Sequence, residues 1–200
     1  MARQKNYHHG DLRTALLQAG LAMLEDVGLE GLSLRKIAAR VGVSHAAPEH
    51  HFPTLKHLLN AMATEGFRLF AGEMRGAMLA AQPAPAPQMR AALQGYLDFA
   101  AGHPHLFRLM FNANLLDWSD EALGQAGDRA LAVLGEICRP VAIRRNLDTP
   151  EGRASVEQLV WSQIHGHAHL LIDDKLPLNG ASASIMPPGL LDITGILLPD

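Results

Sequence analysis

Cysteine is almost missing from this chain: its 200 residues hold one, Cys138. An intramolecular disulfide and a cysteine-ligated zinc site are thereby excluded. Long apolar runs are missing as well. No stretch reaches the roughly 20 apolar residues a bilayer-spanning helix needs, and the opening MARQKNYHHG leads into no apolar signal-peptide core. These absences predict a soluble, cytoplasmic protein with no membrane partner. The raw material of strands is also scarce: β-branched runs are few, and aromatic residues make up 5% of the chain. There is no Gly-rich phosphate loop, no G-x-S-x-G elbow and no paired acid motif, and Cys138 has no recognisable activating neighbour. No enzyme activity, no catalytic residue and no cofactor is therefore expected.

What is present points to helices. Apolar residues reach 48%, enough for a packed core, and Ala, Leu and Met, all good helix formers, dominate them. An all-α fold is expected. The net charge of −3 hides an asymmetry. Residues 1–60 carry seven lysines and arginines against five carboxylates, and the remaining 140 carry ten against fifteen. Six of the eleven histidines also fall in the first sixty residues. A basic head on an acidic body suggests that the head meets a polyanion.

Helical periodicity and capping residues divide the chain. Asp11 is expected to cap a first helix that Gly28 ends. Ser33 caps a second over residues 34–41, Gly42 turns the chain, and Ser44 caps a third short segment reaching Phe52. Thr54 caps a long fourth helix with a stripe of Leu55, Leu58, Leu59, Met62, Phe70 and Met74. The proline run over residues 82–87 reads as a stiff spacer. Helices follow over residues 88–101, 104–113 and 120–137, the last closed by Pro140, and then over 149–172 with Pro150 at its first helical position. A turn-rich segment, 177–189, leads to an apolar tail, 190–198.

Two short helices joined through Gly42 have the length and turn of a helix-turn-helix, the second helix being the one that enters a major groove. On it Ser44, His45, Ala46, His50 and His51 are candidates for DNA contact. Ala suits a thymine methyl, and Ser or His can bond base edges or phosphate. A plain helical bundle with a Gly turn fits the same pattern.

The run GDLRTALLQAGLAMLEDVGLEGLSLRKIAARVGVSHAAPEHHF resembles the DNA-binding domain of the tetracycline-repressor-like (TetR) family of bacterial regulators, over about residues 8–60. HPHLFRLMF at 103–111 and WSQIHGH at 161–167 are similar to that family's WHG-type ligand domain, its Trp, His and Gly here being Trp161, His165 and Gly166. The resemblance implies a DNA-binding head over 8–60 and a helical ligand-binding and dimerisation domain over 61–200. It implies double-stranded operator DNA and a second copy of the chain as partners. It also implies a small apolar or amphipathic effector that releases a repressor. It adds Ser33, Arg35 and Lys56 to the DNA-contact candidates. Two positions depart from the family. Glu49 stands where a phosphate-contacting Tyr is usual, and a carboxylate repels phosphate. Leu55 stands where a Lys is usual, with Lys56 one position later. Weaker DNA binding is expected, or a small-molecule-binding dimer whose head no longer reads DNA.

Aromatic and Met side chains suit an apolar, adaptable pocket. Phe67, Phe70, Met74 and Phe99 are candidates for its wall, with Phe107, Met110 and Phe111 from the next helix. Trp118, Trp161, His103 and His165 complete the set, and any one of these candidates reads more readily as core than as ligand contact. His165 and His169 lie one helical turn apart, a spacing that holds metals, with His103 or His105 near enough in type to complete a set. No Cys or Glu falls in register, so no metal site is expected. For the dimer the apolar stripe Val156, Leu159, Val160, Gln163, His167, Leu170 and Leu171 and the tail are candidate interface.

Overall fold

The computed structural model describes residues 9–175. Among them there are seven α-helices and no strand. They are α1 (His9–Val27), α2 (Leu34–Val41), α3 (Leu55–Ala80), α4 (Pro85–Gly102), α5 (Pro104–Met110), α6 (Glu121–Arg144) and α7 (Pro150–Ile172). Short 3-10 turns lie at Leu29–Gly31 and Ala47–His50. None of these helices is long and apolar enough to cross a membrane.

Two compact units divide the chain. Among the described residues, one takes 9–66 together with 105–124, and the other takes 67–104 and 125–175. The expected boundary at residues 60–61 falls inside α3.

The first unit is built on three helices around Leu16, Leu24, Ile37, Leu58 and Met62, all fully or almost fully buried. At Gly20 a Cβ would meet the Met62 sulfur at 3.1 Å, so glycine lets α1 approach α3 closely. Two side chains tie the later segment to this core. The Glu25 carboxylate accepts the Leu106 N–H (3.0 Å) and the His105 N–H (3.4 Å), capping α5 from outside its own chain segment. Buried Asn60 donates to the Asp117 carbonyl (3.1 Å) and accepts the Asp117 N–H (3.0 Å), satisfying both faces of its amide.

In the second unit α4 packs on α7; Met89, Leu93, Leu97 and Phe99 of α4 are buried, as are Val156, Val160, Ile164, Ala168 and Leu171 of α7. Gly95 touches the backbone of α3 at Glu73, where an added Cβ would sit 3.1 Å from the carbonyl oxygen. α7 opens as its sequence predicts: the Thr149 hydroxyl accepts the Gly152 N–H at 3.1 Å, with Pro150 at the first helical position.

Several expected boundaries shift. α1 starts at His9, so Asp11 lies inside it rather than before it; cap preference is local and weak at a fraying end. Prolines 85 and 87 fall in the first turn of α4, where N–H groups have no helical partner anyway, so the break shrinks to 81–84. α5 stops at Met110, where Asn112 folds its side chain onto the Asn114 N–H at 3.1 Å. α6 runs through Pro140 to Arg144. Proline costs one helical hydrogen bond there, but buried Ile137, Cys138, Val141 and Ala142 hold the helix by packing. On α7 the expected dimer stripe is divided: Leu159 and Leu170 are exposed, while Val156, Val160, His167 and Leu171 are buried together with Ile164 and Ala168. The segments 177–189 and 190–198 lie outside the described residues.

Candidate nucleic-acid interface

α2 is set by its ends. The Ser33 side chain accepts the Lys36 N–H at 3.2 Å. Gly42, at φ 80°, adopts the left-handed conformation that closes the helix, its N–H reaching the carbonyls of Ala38 and Ala39. The next segment was expected to be a helix capped by Ser44. It is a 3-10 turn over Ala47–His50, preceded by Ala46, and no side chain caps it. Pro48 explains this: it has no N–H to give the Ser44 carbonyl, so the chain makes tighter bonds instead. These are Ala47 N–H to Ser44 O (3.1 Å), Glu49 N–H to Ala46 O (3.3 Å) and His51 N–H to Pro48 O (2.9 Å).

Pro48 and Phe52 are buried and anchor this segment, which leaves Ser44, His45, Ala46, Glu49 and His50 exposed and His51 half-buried. Arg35 and Lys56 are exposed too, and Ser33 is half-buried with its hydroxyl engaged as a cap. The structure thus gathers the eight DNA-contact candidates on the α2–turn–α3 segment of one unit. Not every cation there is fully available. Lys36 Nζ donates to the Gly31 carbonyl at 2.9 Å, and Arg40 pairs with Asp26 at 2.8 Å. Lys56 stands near Asp117. That exposed carboxyl is held below its ordinary range chiefly by hydrogen bonds from Ser119, with Lys56 and His57 adding a smaller attraction. Leu55, where the family has Lys, is half-buried. Arg13, which sequence reasoning passed over, lies 5.2 Å above the Phe52 ring. Its signal was only a basic residue at the start of α1, with no local partner.

The effector-pocket candidates divide between the units. Phe70, Met74 and Phe99 are buried in the second. There Phe70 meets Tyr96 edge-on at 4.7 Å and Phe99 at 5.2 Å, and Phe99 meets His103 at 5.0 Å. Trp161 is partly exposed, 6.1 Å from the His165 ring. Phe107, Met110 and Phe111 belong to the first unit, as does Trp118, which is 45% exposed. Phe67 is buried at the start of the second.

Tyr96 was missed, because its partner lies far along the chain: its hydroxyl is 2.7 Å from His165 Nδ1. Burial raises the Tyr96 hydroxyl well above its usual range. Burial, with the like charge of His169 second, lowers His165 to about 4. The His165 and His169 rings are 4.7 Å apart, but His103 stacks on Phe99 and His105 belongs to the other unit. No group of three metal-ligating side chains forms among the described residues. His167 is buried, and its Nδ1 has no hydrogen-bond partner among the described residues.

Known proteins share this arrangement. The model described as "Bacterial regulatory proteins, tetR family" matches residues 16–62, and that of the "Tetracyclin repressor-like, C-terminal domain" matches 89–186. The class C tetracycline repressor of Escherichia coli is 43% identical over 51 residues, 26% of this chain and 23% of the repressor, so the match spans under a quarter of that protein. Nucleoid occlusion factor SlmA of Photobacterium profundum is 27% identical over 158 residues, 77% of this chain and 80% of that one. A solved protein of unknown function from Rhodococcus sp. RHA1 superposes with a TM-score of 0.76 at 30% identity, covering 90% of this chain and 92% of the other.

Proposed function

Because the chain belongs to the tetR family of bacterial regulatory proteins, whose members are transcription regulators and not enzymes, we propose that it is a ligand-released repressor. In this reading it binds operator DNA as a homodimer in the bacterial cytoplasm, through residues 8–60. A small apolar or amphipathic effector, taken up by the chain beyond residue 60, shifts the population toward a conformer whose two heads no longer fit successive major grooves. The observation that carries it is the exposed run Ser44–His45–Ala46, held by buried Pro48 and Phe52 directly after the Gly42 turn. Small side chains there let the backbone approach base edges, and His45 can bond them. Arg35 and Lys56 flank the run as phosphate contacts, and Ser33 orients α2.

For the dimer, α7 presents Leu159 and Leu170, 54% and 47% exposed. Between them lies Gly166, beside which a Cβ would meet nothing within 4 Å. Such a face lets a second helix approach closely, and burying it removes an apolar patch from water. For the effector, the Phe70–Tyr96–Phe99 cluster offers apolar wall and the Tyr96–His165 pair a polar anchor.

A second reading, a dimeric small-molecule binder with a silent head, draws on exposed Glu49 and on Asp117 beside Lys56. Fluorescence anisotropy on DNA flanking the protein's own gene separates the two, with a scrambled duplex as control and both low and physiological salt. The repressor reading expects preference for the native duplex. Glu49→Tyr with Leu55→Lys should tighten all binding and steepen the salt slope by about one to two units. No preference in either protein at either salt leaves the second reading.

A further inference from the structure

Asp117 reaches the first unit from far along the chain and is fixed there by its backbone. Asn60 of α3 is almost fully buried, and its amide holds both backbone groups of Asp117: Nδ2 donates to the carbonyl at 3.1 Å, and Oδ1 accepts the N–H at 3.0 Å. The same carbonyl accepts the Asp120 N–H at 3.0 Å. Lys56 stands four residues before Asn60 on α3, one turn away on the same side of the helix. The clamp therefore sets a carboxylate near a candidate phosphate contact. The carboxylate is oriented in its turn by Ser119, which gives Oδ1 its N–H at 3.1 Å and its hydroxyl at 2.6 Å. These bonds, and after them attraction to Lys56 and His57, hold it ionised. Asp117 and Lys56 are both exposed.

We propose that Asp117 restrains the head: it keeps a fixed negative charge where a DNA phosphate enters to reach Lys56, so every duplex binds more weakly than the cations alone would allow. The inference rests on the DNA reading of Lys56. Carboxylate and phosphate repel each other there, and Lys56 divides its attraction between them. The charge touches no base edge, so it weakens native and unrelated duplexes by the same factor. Asp117 thus sets the level of affinity, and with it how little of the protein is held on unrelated DNA. Base preference stays with Ser44, His45 and Ala46.

Asp117→Asn tests this with the fold kept. It removes the charge alone, because the amide oxygen still accepts the Ser119 bonds and the Asn60 clamp uses only backbone. The full chain is titrated by anisotropy against the DNA flanking its own gene and against a scrambled duplex. The variant should bind both about threefold to fivefold more tightly at low salt, by the same factor, with a salt slope steeper by up to about one unit. The gain should shrink toward physiological salt. In a Lys56→Gln background it should fall by at least about half, whereas with Arg35→Gln on α2 it should persist. A readout without DNA follows the Asp117 carboxyl carbon by NMR, where Lys56→Gln should raise the titration midpoint. Equal binding by wild type and Asp117→Asn would overturn the restraint and leave the DNA reading standing; no binding by either protein at either salt would overturn both. Tightening on the native duplex alone would make Asp117 a base-reading residue and end the proposal. So would an Asp117 titration that Lys56→Gln leaves unmoved.

Discussion

Histidine is set in opposite surroundings in the two units. Around the reading segment His45 and His50 stand in solvent, His51 is half-buried, and His57 is exposed against Thr54. On α7, His165 and His167 are turned into helix packing, and burial lowers both below the ordinary imidazole range. The difference lies in what surrounds the ring, not in the ring. An exposed imidazole keeps its water and can bond whatever arrives, whereas one buried as His165 is, with Tyr96 beside it, is kept neutral because its charged form would lose water. The exposed histidines of the first unit can therefore change with little effect on folding, whereas a change at His165 or His167 acts on the packing of the second.

The sharpest test of that contrast pairs one substitution from each side. Phe99→Ala removes a fully buried ring and should cost about 3–5 kcal/mol of stability. His45→Ala should leave stability within about 0.5 kcal/mol while weakening operator binding by about 1–3 kcal/mol. Thermal unfolding and anisotropy read the two quantities; equal losses of melting temperature would erase the contrast. Next in size is His167→Leu. An unpartnered buried nitrogen costs about 1–3 kcal/mol, so replacing the ring with an apolar side chain should raise the melting temperature. A fall would mean that Nδ1 finds a partner in the assembled protein.

The smallest effect is on pH dependence. His165 titrates at about 4 in the folded chain and at about 6.5 when unfolded. As pH drops below about 6.5 the unfolded chain takes up the proton first, so the stability held above that pH is lost progressively toward pH 4. His167, shifted in the same direction, adds to the slope. The melting temperature should fall between pH 7 and pH 5, and His165→Gln should flatten that fall. An unchanged slope in the variant would remove His165 from the account.

What was legible in the sequence is what local chemistry decides. Ser33, Gly42, Thr149 and Pro150 each act within four residues of themselves, and each was placed correctly from the chain alone. What was missed depends on distance. Tyr96 and His165 are 69 residues apart, and Asn60 and Asp117 are 57 apart; no spacing rule reaches that far. Pro140 fell between the two cases. Its local preference ends a helix, and buried neighbours on both sides overrode it. In the reading segment local chemistry was the better guide, and Pro48 was the residue to heed.

The Glu25 and Asn60 contacts bear on how freely such a head can be exchanged. Both side chains are shaped around backbone that arrives some eighty and sixty residues later. A fusion carrying only the opening of the chain onto a foreign sensor would present that sensor with an acceptor and an amide fitted to something else. Transplanting the head intact therefore means moving two separated stretches of sequence together, and a lineage that recombined one without the other would have to rebuild both hydrogen-bonded seams.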